Sequence, residues 1–240
     1  MISGKHIYKD FNEELAGIVS SVKAMGVLVN QQMQDALHIL RSGGGDAQVV
    51  ATMNDREERI DQLEVVIDHH CVRIITRRQP IASDLRLLIA TTRIVNDLER
   101  MGDEANNIGR LALELVQDEA PDTTVLNQID ELSVQISQMI EEALRAFVNN
   151  DAGLALETAH QDALINRRHH LLIDQLITTL RGDYRHDRSV TKLMWAIHAL
   201  ERISNRACNL CESVIYLVKG IEVRHLSLQE ITAQMTAAAR

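Results

Sequence analysis

The chain has 240 residues, 45% of them hydrophobic but only 2% aromatic, with two prolines and a formal net charge of −9. That much apolar material builds a sizeable core, and so few aromatics and prolines favour long helices over a β-sandwich or barrel. The acidic balance leaves no excess for neutralising phosphates, which argues against nucleic-acid binding. No apolar run is long enough to span a bilayer, and the first residues, MISGKHIYKDFNEEL, lack the apolar core of a leader peptide. Cys71, Cys208 and Cys211 cannot build a disulfide framework, so the chain reads as cytoplasmic, without membrane insertion.

The first element runs from about Tyr8 to Leu40, where Leu15, Ile18, Val22, Met25, Val29, Met33, Leu37 and Leu40 form a stripe at helical spacing. Gly43-Gly44-Gly45 ends it, and Asp46 suits the N-cap of a second helix reaching about Thr76. Val50, Met53, Ile60, Leu63, Ile67, Cys71 and Ile74 are expected to point inward there, and Arg77-Arg78-Gln79-Pro80 closes the helix. Ser83 is the expected cap of a third helix that carries Leu98–Ile108, LERMGDEANNI, and extends to about Val116. Pro121 marks a break.

The pattern then starts again. A fourth helix covers Val125–Phe147, and Asn149-Asn150-Asp151 supplies a turn and a cap. A fifth reaches about Leu180, and Gly182-Asp183-Tyr184-Arg185 forms the next connection. The sixth runs from near Ser189 to Lys219, with Gly220 at its C-cap. Val29, Met33, Ala36 and Leu37 recur 107 positions on as Ile136, Ile140, Ala143 and Leu144, and Ile60 recurs 105 on as Ile165. LERMGDEANNI recurs 102 on as LERISNRACNL, Leu200–Leu210. The offset changes only between helices, as a duplicated fold requires. The expected architecture is all-α: two tandem, similar three-helix bundles of six long helices. The first bundle spans 8–118 and the second 123–220, with 221–240 as a C-terminal tail.

On the second helix Asp61, Glu64 and Asp68 fall at i, i+3 and i+7, and on the third Glu99 and Asp103 fall at i and i+4. If these helices pack antiparallel, the two rows face each other, and five carboxylates raise one another's pKa unless a cation intervenes. Hard oxygen ligands suit Mg²⁺, Mn²⁺, Ca²⁺ or iron. The competing reading is a solvated helix face paired with Arg59 and Arg100. The matching row of the second half is Asn166, His169, Glu201, Asn205 and Asn209, with His170 alongside. Most of its charge is gone, so it is expected to bind a softer metal through imidazole or none, and less tightly than the first row.

Other constellations carry less chemistry. Cys208-Asn209-Leu210-Cys211 has no second pair and no thioredoxin-like context, so its thiols are expected in the core. Glu157-x-x-His160 and Glu222-x-x-His225 have the ligand spacing of di-iron bundles, but the matching inward glutamates are missing. No phosphate loop, nucleophile elbow or Ser/His/Asp order points to an enzyme or an organic cofactor.

The segments CVRIITRRQPIASDLRLLIATTRIVNDLERMGDEANNI and ALERISNRACNLCESVIYLVKG closely resemble the two repeats of the PhoU family, the bacterial regulators of phosphate transport and phosphate signalling. The resemblance covers approximately residues 8–228. It implies two three-helix bundles without catalysis, sitting at the inner face of the membrane through partners: the ATPase subunit of a phosphate ABC transporter and a phosphate-sensing histidine kinase. It further implies restraint of phosphate uptake and of the starvation response when phosphate is plentiful, and a homodimer. The family's E(D)xxxD metal motif is matched by Glu64-x-x-x-Asp68 and Glu99-x-x-x-Asp103, with Asp61 as an extra ligand, for Mg, Mn or Fe. In the second half Glu201 matches, but Asn205 replaces the aspartate, Ser204 the glycine, and Tyr184 stands where proline is usual; His169 joins the weaker set. The alternatives are a metal store or metal-dependent enzyme using the first-half carboxylates, or a paralogue serving another signalling complex.

Overall fold

The computed structural model describes residues 3–44, 47–115, 122–182 and 187–237. The described residues form helices α1 (Ser3–Ser42), α2 (Ala47–Arg78), α3 (Ala82–Leu115), α4 (Thr123–Asn149), α5 (Ala152–Gly182), α6 (Asp187–Lys219) and α7 (Leu228–Ala237), and no strand. The six long helices fall where the apolar periodicity places them. The expected cap Asp46, the junction at 118–121 and the connection residues Asp183, Tyr184 and Arg185 lie outside the described residues.

Two glycines fix how the first bundle is assembled. A Cβ added at Gly102 would meet Ile60 at 3.3 Å and Val29 at 4.0 Å, and one at Gly109 would meet Met53 at 2.7 Å and Ala36 at 3.7 Å. Seven residues along α3 therefore correspond to seven forward along α1 and seven backward along α2. So α1 and α3 run parallel, with α2 antiparallel to both, and glycine lets α3 approach closely at these layers. The turn into α3 differs from expectation. Helix α3 begins at Ala82 (φ 50°), with the Asp84 N–H donating to the Ile81 carbonyl at 3.2 Å, so Ser83 lies inside the helix and is not its cap. Gln79 (φ 48°) ends α2 in the left-handed region just before Pro80.

In the second bundle the Asn149-Asn150-Asp151 signal acts as read, and Asp122 adds a cap that the sequence reading did not include. The Asp122 carboxylate accepts from the Thr124 N–H at 2.8 Å to start α4. Asn150 takes the left-handed conformation at its end (φ 52°), and Asp151 Oδ1 accepts from the Leu154 N–H at 3.0 Å to start α5.

The two bundles do not stand apart. Among the described residues, helices α3 and α6 share the most extensive contact, and α1 packs on α4. Gly26 lies against Leu144, where a Cβ would overlap that side chain. Across this seam Asn30 donates to Glu141 at 3.0 Å and accepts from the Ser137 hydroxyl at 2.8 Å. Along α3–α6, Arg202 pairs with Glu104 at 3.0 Å and Arg206 with Asp97 at 3.2 Å. One continuous apolar core runs through both bundles.

Residues 221–240, read as a tail, contain a further helix. Gly220 (φ 69°) ends α6, Val223 is fully buried, and Ser227 and Glu230 form a capping box at the start of α7. Ile231 is 1% exposed, which stabilises this helix on the α5 side by about 2 kcal/mol. Among the described residues no helix is long and apolar enough to cross a membrane.

Candidate functional site

The pairing of α2 with α3 sets the two acidic rows of the first bundle face to face. Burial, then repulsion from Asp103 and Glu64, pushes the Glu99 carboxyl up to about 7. Glu64 is raised chiefly by burial and then by Asp68, against a hydrogen bond from Asn96. Asp103 is raised by burial and then by Asp61, against a hydrogen bond shared with Glu99. Arg100 offsets only part of the repulsion at Glu99 and Asp103. Asp61, Glu64, Glu99 and Asp103 thus behave as one electrostatic group. Asp68 sits at its edge, raised by burial, with Oδ1 buried and without a partner among the described residues.

The donor set is all hard oxygen and fits a divalent cation of the Mg²⁺, Mn²⁺ or ferrous type, which would link α2 to α3. No three of these carboxylates, however, bring oxygens within 4.8 Å of one another. Among the described residues, the one set of three His, Cys, Asp or Glu ligand atoms lying within 4.8 Å of one another is in the other bundle: His169, His198 and Glu201.

There, α5 supplies His169 and α6 supplies His198 and Glu201. His169 Nε2 lies 3.1 Å from His198 Nδ1 and 3.3 Å from Glu201 Oε2, and His198 Nδ1 lies 3.5 Å from the same oxygen. His169 is 2% exposed, and burial pushes its imidazole below the ordinary histidine value against the opposing charge of Glu201. The rest of the expected row is elsewhere. Asn166 donates to Asp162 Oδ2 at 2.7 Å, and the Ser204 hydroxyl donates to Asp162 Oδ1 at 3.2 Å. Asn205 and His170 are exposed, and Asn209 donates across the bundle seam to Asp97 at 3.4 Å.

His198 is absent from the expected row, yet two signals mark it in the sequence. It lies three residues before Glu201 on the same helix face. It is also the counterpart, 102 positions on, of Asn96, which already touches Glu64 in the first bundle.

The remaining constellations settle into structural roles. Burial pushes the Cys208 thiol up to about 12 and raises Cys211 as well, as expected of core cysteines. His160 is exposed and its Nδ1 contacts the Leu156 carbonyl at 2.7 Å, while Glu222 is held by Arg224 and Arg93. Neither Glu-x-x-His pair therefore forms an inward ligand pair. A polar cavity between α3, α6 and the segment before α7 is lined by Arg93, Asp97, Asn209, Glu212 and Arg224. Burial, then repulsion from Glu222, pushes Glu212 up to about 7, with Arg224 opposing.

An internally duplicated pair of three-helix bundles, fused along α3 and α6 and carrying a polar row between the second and third helix of each, defines an all-α class of repeat protein. The family model for the PhoU domain matches residues 22–112 and again 129–214. The chain belongs to the PhoU family. The relative named phosphate-specific transport system accessory protein PhoU homolog in Pseudomonas putida is 41% identical over 235 residues, 98% of this chain and 90% of that protein. The PhoU protein of Escherichia coli (strain K12) is 35% identical over 228 residues, 95% of this chain and 92% of its own. The crystal structure of PhoU from Pseudomonas aeruginosa superposes with a TM-score of 0.82 at 39% identity, covering 88% of this chain and all (100%) of that one. That of the phosphate transport system regulatory protein PhoU from Streptococcus pneumoniae gives 0.80 at 28%, covering 89% and 99%.

Proposed function

We propose that this protein is a non-enzymatic accessory regulator of a phosphate-specific transport system. In this reading it restrains uptake by a phosphate ABC transporter, through the ATPase subunit, and keeps a phosphate-sensing histidine kinase from activating the starvation response when phosphate is plentiful. It acts at the cytoplasmic face of the membrane through these partners, as a homodimer. The observation that carries the reading is similarity over nearly the whole chain, both repeats included, to relatives named for that transport system. The test is deletion of the gene followed by an alkaline phosphatase assay in high phosphate. Derepressed phosphatase, restored to repression by the intact gene, supports the reading, and unchanged repression in the deletion strain overturns it.

In the same reading Asp61, Glu64, Glu99 and Asp103, with Asp68 at the edge, hold a divalent cation of the Mg²⁺, Mn²⁺ or ferrous type in the first bundle. What supports this is that burial, and after it repulsion from Asp103 and Glu64, lifts Glu99 to about 7; a cation would relieve the repulsion. Bound there, the cation supplies positive charge that fastens α2 to α3. No organic cofactor enters the proposal.

A further inference from the structure

We propose that His169, His198 and Glu201 form a cation site of a different chemical class, one for a borderline d-block dication such as Zn²⁺ or Fe²⁺. The three facing atoms stand 3.1, 3.3 and 3.5 Å apart. Ligands held about 2.0–2.1 Å from a tetrahedral metal lie roughly 3.3 Å from one another. Hydrogen bonding serves at most two edges of such a triangle. An imidazole N–H points along one direction in the ring plane, so two rings cannot serve three edges that meet at three atoms. A cation at the centre serves all three.

The burial of the parts agrees. His169 is 2% exposed, and its Nδ1 is buried without a partner among the described residues, so the polar contacts of this core ring lie in the triangle. His198 and Glu201 are partly open to solvent, which leaves an entry path and a fourth coordination position.

The duplication adds an independent argument. The counterparts of His169, His198 and Glu201 in the first repeat are Glu64, Asn96 and Glu99. Two positions on different helices hold glutamate and asparagine in the first repeat and histidine in the second, while the carboxylate beside them is the same in both. One histidine on an apolar face is an ordinary core residue; two that meet with a glutamate make the two-imidazole, one-carboxylate set typical of Zn²⁺ and Fe²⁺ centres. The exchange removes the all-oxygen set that Mg²⁺ requires. The row with less charge is therefore the row whose ligand atoms converge.

This inference does not rest on the transport reading, because it is tested on the purified chain. Tag-free, chelator-stripped protein is titrated with Zn²⁺ against a chromophoric chelator, and with Co²⁺ as the spectroscopic probe. The expected result is one Zn²⁺ per chain that a large excess of Mg²⁺ does not displace. The Co²⁺ form should show visible d–d bands without the near-ultraviolet sulfur charge-transfer band that Cys208 or Cys211 would give. His198→Ala and Glu201→Gln, both at partly exposed positions, should each weaken Zn²⁺ at least about tenfold, the lower end of what losing even a supporting residue of a metal site costs. Asn205→Ala and Glu99→Gln should leave it unchanged. A thermal melt establishes that each variant is folded; should His198→Ala not fold, His198→Gln replaces it. Absence of saturable Zn²⁺ binding, full affinity in the folded His198 variant, or loss of the site in Asn205→Ala would each overturn the proposal.

Discussion

Glu212 gives the sharpest test of how the two bundles are joined, because its ionisation opposes the packing of α6 against α3 and the segment that follows Gly220. Its carboxyl stands at about 7, against an ordinary value of 4.5, chiefly through burial and then through Glu222 and Asp97, with Arg224 opposing. A folded-state pKa above the unfolded one means that the folded chain holds the proton more tightly. The associated stability is fully present below about 4.5 and is lost as pH rises through about 7. At about 1.4 kcal/mol per pH unit the full gap corresponds to about 3 kcal/mol, and solvent screening of this half-buried group reduces it to about 1–2 kcal/mol. Glutamine is close to the shape of the protonated acid and never ionises. Glu212→Gln should therefore match the parent at about pH 4 and exceed it by about 1–2 kcal/mol at about pH 8. For a chain of 240 residues that is a rise of about 2–8 °C in Tm. Calorimetry of both proteins at both pH values measures the double difference, which cancels the other titrating acids. An equal offset at the two pH values, or a loss of stability at the higher one, would refute the reasoning.

Three further outcomes follow from the packing. Ser227→Ala removes the capping box of α7 and should cost that helix about 1 kcal/mol; amide exchange confined to residues 228–237 should quicken, leaving α5 protected. Asn30→Ala strips partners from Glu141 and Ser137 at the α1–α4 seam and should lower stability by about 1–3 kcal/mol in urea unfolding. Mn²⁺ should raise the Tm of chelator-stripped protein by mass action, and the rise should vanish in the Glu99→Gln, Asp103→Asn double variant while persisting in His198→Ala.

Much of the fold was legible because α-helical burial writes a period into the sequence. Val22, Met25 and Val29 are buried as their spacing demands, and so are Ile136, Ile140 and Ala143. The repeat was legible because the offsets change only at connections. Three features were not, for identifiable reasons. Helix α7 has ten residues, too few to be stable alone, and depends on Ile231 reaching the body of the protein, so the Ser227–Glu230 signal had no long stripe beside it. The fusion of the bundles depends on Arg202, Arg206, Asp97 and Glu104, which in sequence look like any solvated charged face. Their pairing partners lie about a hundred positions away on the other bundle. Of the candidate site, the facing of the first-half rows followed from a short connection and antiparallel packing. The triangle in the second half did not, because neither the place of His198 three residues before Glu201 nor its match to Asn96 shows that His169 of α5 meets it.

The differences between the two rows are not simple erosion of a motif. Gly102 keeps α3 close to Ile60, and its counterpart Ser204 is fully buried against the same region of the second bundle. The hydroxyl of a serine there lies within hydrogen-bond reach of the Glu201 carbonyl at 3.0 Å and of Asp162 Oδ1 at 3.2 Å, and Asp162 also holds Asn166. Burial raises the Asp162 carboxyl, and its hydrogen bonds with Ser204 and Asn166 oppose that shift. The glycine-to-serine change is thereby tied to a polar triad that takes Asp162 and Asn166 out of any ligand set. What is left on the facing surfaces of α5 and α6 is the pair of imidazoles and Glu201. The apolar positions that set the bundle, Ile165 and Ile203 beside Ile60 and Met101, are equally buried in both copies. Packing thus keeps the core positions apolar in both copies, while the polar row, which contributes little to packing, carries different donor atoms in each.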